Sequence, residues 1–161
     1  MIKVKILKRE ITEAKRLAAD LGALNNSITR GSGNLVGFIG ELVTARIITA
    51  FRAPTRDYDI IKDTFTIDVK TKSTTVPPLP HYLCSVAAFN IHQQTDYYLF
   101  CRVDLENKLC YVLGKKRKDL YFKQATFCKA GEIDPDSDRN WCFKADCYNL
   151  PISALRPIKV A

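Results

Sequence analysis

The chain has 161 residues, enough for one domain with a sizeable core, and 47% of them are hydrophobic against 26% charged, a balance that excludes a disordered chain. Its formal net charge of +8 predicts attraction to polyanions, nucleic acid first. No apolar run reaches the roughly 20 residues that cross a bilayer, and the opening MIKVKILKREITEAK lacks the apolar stretch of a signal peptide, so the expectation is a cytoplasmic protein with no membrane partner.

The first element in chain order is a helix over residues 9–22. Ile11, Ala14, Leu17, Ala18 and Leu21 recur at helical spacing, and Gly22 is its expected stop. The polar, glycine-containing stretch NNSITRGSGN (25–34) reads as a loop, with Ser32 or Asn34 as the cap of a second helix. That helix is the longer one, predicted over 34–51, with Leu35, Ile39, Leu42 and Val43 as its apolar stripe. Gly37 and Gly40 stand inside it. A glycine costs a helix interior about 1 kcal/mol relative to alanine, and close approach to a sheet or to a nucleic-acid backbone would explain the pair.

Strand signals then dominate. YDII (58–61) and TFTIDVKT (64–71), joined by a short polar link, predict a tight hairpin. The proline-rich 74–81 reads as a loop or edge, 82–88 as a further strand, and 89–94 as a short helix or turn. DYYLFCRVDL (96–105) and KLCYVLG (108–114) are two strands joined by a turn at Glu106-Asn107. The basic run Lys115, Lys116, Arg117 and Lys118 leads into a predicted helix, KDLYFKQA. Residues 130–140 read as a loop, 141–150 as a strand and PISAL as a terminal helical turn. With no repeat and no linker, the expectation is a single α/β domain over 1–161 with a mixed sheet, an N-terminal helix and a C-terminal extension over 115–161.

Cys84, Cys101, Cys110, Cys128, Cys142 and Cys147 form no CxxC pair and match no zinc spacing; several lie in apolar strand-like runs, which predicts buried thiols in a reducing compartment. His81 and His92, the only histidines, share no metal-binding spacing with another ligand.

The chemistry concentrates in TIDVKTKST (66–74). In a strand the side-chain period is two, so Asp68, Lys70 and Lys72 face one way and Ile67, Val69 and Thr71 the other. Two other acid-x-lysine triplets, at Glu13 and Glu106, fall on a helix and in a turn, where the two side chains do not share a face. The 58–71 hairpin brings Asp59 beside Asp68. Two carboxylates this close repel unless a cation intervenes, and Mg²⁺ suits such a place because it needs only one or two protein carboxylates. Glu41 is a third acid, on an otherwise apolar helix face.

Helix with glutamate, strand, Asp, hairpin and strand with Asp-x-Lys resembles the PD-(D/E)xK nuclease superfamily, in particular its small phage- or intron-encoded and Holliday-junction-resolvase-like members. The matching residues are Glu41, Asp59 and Asp68-Val69-Lys70, within a core of about 33–114; Tyr58 stands where the family's usual proline would, which leaves Asp57 as a second candidate for the role of Asp59. The resemblance implies a restriction-endonuclease-like core and a metal-dependent endonuclease acting on DNA in a bacterial, archaeal or phage-infected cell. Asp59, Asp68 and the Val69 carbonyl would hold Mg²⁺, for which Mn²⁺ would substitute, and Glu41 would complete the site. Lys70 would orient or deprotonate the attacking water, and Gln93 would help place it. A homodimer is the default for cutting two strands. Arg30, Lys72 and the run Lys115, Lys116, Arg117 and Lys118 are candidate phosphate contacts, with a solvated surface as the alternative for each. Trp141, Phe143 and Tyr148 could stack on bases or fill the core of the extension. The rival function is a nucleic-acid-binding protein of the same fold without catalysis.

Overall fold

The computed structural model describes residues 1–21, 34–134 and 141–159. Among them the chain is mixed α/β, with three helices and a mixed sheet of six strands. The elements run β1 (Ile2–Lys5), α1 (Lys8–Leu21), α2 (Asn34–Ile47), β2 (Phe51–Arg52), β3 (Ile60–Lys62), β4 (Phe65–Ser73), β5 (Leu83–Ala87), β6 (Tyr97–Asp104), β7 (Leu109–Arg117), α3 (Lys118–Gln124), β8 (Thr126–Cys128) and β9 (Cys147–Pro151).

The six-stranded sheet has the order β1-β7-β6-β4-β3-β2, and only β4 and β6 pair in parallel. The β3–β4 hairpin turns at Asp63, whose φ of 55° is the left-handed backbone a tight turn needs. Period-two alternation then sorts β4. Ile67 and Val69 join the core under α2, with Ile39, Val43, Leu99 and Val112. The opposite face of the sheet carries a second core, in which Tyr98, Phe100 and Leu113 meet Tyr121 of α3 and Val86 and Leu150 of a smaller sheet ordered β5-β9-β8.

Several features differ from the sequence expectation, among them the second helix, which stops at Ile47 so that Phe51 falls in β2. The start of the chain is a strand: Ile2 and Val4 alternate with exposed Lys3 and Lys5, the pattern of a half-buried edge, and pair with β7. Within 82–88 the strand is Leu83–Ala87, in the second sheet, and the predicted 141–150 strand is regular only at its end, as Cys147–Pro151. Lys115, Lys116 and Arg117 continue β7 past its predicted end at 114, and Lys118 opens α3. The cysteine expectation holds for Cys84, Cys101, Cys110 and Cys147, which are buried thiols, while Cys128 is half-buried and Cys142 is exposed.

Helix α2 is covered on two sides, by α1 and by β4. The two helices are tied at their ends by Glu10, which accepts from the Leu7 N–H at 2.7 Å and from Arg46 Nε at 2.7 Å. The glycine pair splits. A Cβ at Gly40 would lie 2.0 Å from Thr71 Oγ1, so the helix backbone rests directly on the Thr71 side chain there, whereas a Cβ at Gly37 would meet nothing within 4 Å. Gly40→Ala is therefore expected to lower stability by about 1–3 kcal/mol, because the β-branched Thr71 has little rotamer freedom with which to retreat. Gly37→Ala is expected to leave stability unchanged or raise it slightly. Urea denaturation of the two variants checks both.

Candidate active site

Asp59 directly precedes β3 and extends the hairpin ladder, its N–H donating to the Ile67 carbonyl at 3.0 Å. That register places its side chain over the middle of β4, where Oδ2 accepts from the Val69 N–H at 2.7 Å. Asp57 points elsewhere and accepts from the Gln94 N–H at 2.9 Å. Of the two aspartates in RDYDI, Asp59 is thus the one beside the Asp-x-Lys strand.

Asp68 is 5% exposed. Its Oδ1 accepts from Gln93 Nε2 at 2.6 Å, and its Oδ2 stands 2.7 Å from Lys70 Nζ. The ammonium is off the line of a hydrogen bond, so buried Oδ2 is ion-paired yet has no hydrogen-bond donor. Lys70 also lies over the Tyr98 ring, 5.6 Å from its centroid. Gln93 is fixed from two sides, its Oε1 accepting from the Tyr98 hydroxyl at 3.3 Å and its carbonyl from Lys118 Nζ.

Glu41 comes from the other side, on α2, and is 9% exposed. Arg52 of the edge strand β2 holds it, Nε donating to Oε2 at 2.8 Å, with the guanidinium over the Phe38 ring. Burial pushes the Glu41 carboxyl up, Arg52 opposes this, and the nearby Asp68 charge adds to it. Asp59 is pushed up to about 8, first by burial and then by the charges of Glu41 and Asp68, against the pull of the Val69 N–H and Lys70. The site therefore concentrates mutually repelling carboxylates with only partial cationic relief.

A scan of the chain against protein-family models gives no match, and a search of curated proteins gives none.

The donor set suits a hard divalent cation. Among the described residues no three His, Cys, Asp or Glu side chains converge as a ready-made cage. Mg²⁺ does not need one, since it keeps waters and substrate oxygens as most of its ligands. Asp68 Oδ2, ion-paired but without a hydrogen-bond donor, and the crowded Asp59 carboxyl are oxygens that such an ion would satisfy. Glu41 lies within electrostatic reach but is engaged by Arg52.

The proposed phosphate contacts do not form one surface. Lys72 turns under the small sheet, Nζ donating to the Leu83 carbonyl at 3.2 Å and to Ser85 Oγ at 2.8 Å. Lys115 covers the Tyr97 ring, Lys116 donates to the Ala154 carbonyl, Arg117 pairs with Asp119, and Lys118 holds the Gln93 carbonyl. Strand alternation and the start of α3 scatter the run. Arg30 lies outside the described residues. Arg52 had no signal in the sequence beyond its charge, because its role depends on an edge strand of two residues.

Proposed function

We propose that the chain is a metal-dependent DNA endonuclease of the PD-(D/E)xK type, with a restriction-endonuclease-like core. The observation that carries this reading is the hairpin juxtaposition of Asp59 and Asp68, with Lys70 on Asp68 and one buried Asp68 oxygen lacking a donor. An isolated surface ion pair would not bury Asp68 to 5% exposure beside a second acid.

Asp59 and Asp68, with the Val69 carbonyl, are the groups that would hold Mg²⁺ or Mn²⁺. A divalent ion bound there supplies Lewis-acid polarisation of the scissile phosphate and acidifies the attacking water. The chain's own residues do the rest. Gln93 fixes Asp68, and Lys70 orients the water and neutralises charge as it develops on the phosphorus oxygens. The water oxygen bonds to phosphorus, the bond to the leaving sugar oxygen breaks, and the water proton ends on that leaving oxygen.

A second reading has one observation in its favour: Arg52 occupies Glu41, as suits a fold kept for binding after catalysis has been lost. Incubating supercoiled plasmid, linear duplex, single-stranded DNA and a four-way junction with Mg²⁺, Mn²⁺ or EDTA separates the two. Cutting with either metal and none in EDTA is expected. Binding to every substrate without cutting would replace the enzyme by the binding protein.

A further inference from the structure

Beside Lys70, between the exposed end of β4 and the small sheet, runs a cleft of about 540 Å³. That is large enough for a nucleotide-sized ligand. Among the described residues its charged lining is all cationic: Lys70, Lys72, Arg102 and Lys144. Lys72 spends two of its three N–H bonds on Leu83 and Ser85, and Arg102 donates to the Leu83 carbonyl while lying over the Tyr82 ring. Among the described residues, Lys72, Arg102 and Lys144 form no ion pair. Asp134 is the acid whose field reaches both Lys72 and Arg102. Burial holds both cations below their ordinary pKa, the charge of Arg102 adds to this at Lys72, and a bound anion would relieve it.

Trp141 and Phe143 line the same cleft. Trp141 is 44% exposed and lies edge-on to buried Phe143, with ring centroids 5.3 Å apart. An aromatic face beside fixed positive charge is the arrangement that binds single-stranded nucleic acid, whose unpaired base stacks while its phosphate is neutralised. A duplex cannot enter a cleft of this size with its base paired.

We propose that this cleft seats one unpaired nucleotide of the strand to be cut, its phosphate on Lys72, Arg102 and Lys144 and its base against Trp141. The preferred substrate then carries a single-stranded segment next to the scissile bond. The substrate assignment rests on the nuclease reading; the binding does not.

The test is metal-free. Fluorescence anisotropy in EDTA compares a labelled, 5′-phosphorylated oligothymidylate with a blunt hairpin duplex, for wild type, Trp141→Ala and Lys144→Ala. Both positions are exposed, and a thermal melt of each variant checks that it folds as wild type. The single strand is expected to bind roughly 10-fold tighter than the duplex, and each variant to lose roughly 10-fold of that binding. Because Trp141 is the only tryptophan, its emission should also be quenched by the strand. The Lys144→Ala salt slope should fall by about 0.7. Equal binding of strand and duplex, or undiminished strand binding in either variant, overturns the proposal. Strand binding without cleavage would leave the cleft and remove the nuclease. Cleavage without strand preference would do the reverse.

Discussion

Lys70→Ala is expected to reduce metal-dependent cleavage by roughly 10²–10⁴-fold while leaving DNA binding nearly intact. The side chain is the only cation in direct contact with Asp68 among the described residues, at 2.7 Å, and it rests against the Tyr98 ring. Alanine removes a fixed positive charge from the place where, in the proposed reaction, negative charge grows on the phosphorus oxygens. It removes none of the phosphate contacts proposed for the neighbouring cleft. Arginine should rescue only partly, because its planar fork replaces a compact point charge. The variant also leaves Asp68 buried without a counter-charge, which costs stability. Asp68→Asn/Lys70→Ala removes both partners, and should recover part of the melting temperature lost in Lys70→Ala without recovering any activity. Plasmid nicking, with thermal melts in parallel, reads both effects. A Lys70→Ala protein that cuts at the wild-type rate would take the lysine out of the mechanism.

What the sequence revealed was what local periodicity can carry. The β3–β4 hairpin announces itself through alternation and a polar turn, and period two alone puts Asp68 and Lys70 on one face. The position of Asp59 came from the same hairpin. Gln93 was readable as a site residue only through the family resemblance, and its bond to Asp68 depends on a short 3-10 turn at Ala88–His92. The second sheet was not legible, because β5 and β9 pair across some sixty residues and neither strand alternates cleanly in the sequence. That sheet also redirects Lys72, which period two correctly places beside Lys70 but which ends on Leu83 and Ser85. Nor did the basic run reveal that a strand would carry it. Alternation along β7 sends consecutive cations to different partners, so a cluster in sequence is not a cluster in space.

Asp59→Asn gives the second large effect, and linkage sets its sign. The Asp59 carboxyl sits near 8 in the folded chain, pushed up to about 8 from an ordinary value of 3.8. Between about pH 4 and pH 8 the folded state keeps a proton that the unfolded state has released. Without metal, wild-type stability should therefore fall as pH rises through that window and level off above it. Asparagine keeps an oxygen for the Val69 N–H but carries no charge, so its stability should not follow this slope. At pH 8.5 in EDTA the variant should be the more stable protein by several kcal/mol, which raises its melting temperature by about 10 °C or more. At pH 4 the two should melt together. Millimolar Mg²⁺ at pH 8.5 should reverse the order, because an ion that binds only the folded carboxylate pair stabilises wild type and has little to hold in the variant. A wild-type melting temperature that ignores both pH and Mg²⁺ would mean that Asp59 and Asp68 repel too weakly to require a cation, and the metal site would fall with it. The reversal itself would tie the repulsion to the proposed chemistry, since the carboxylates that repel one another without metal would be the ones that hold it.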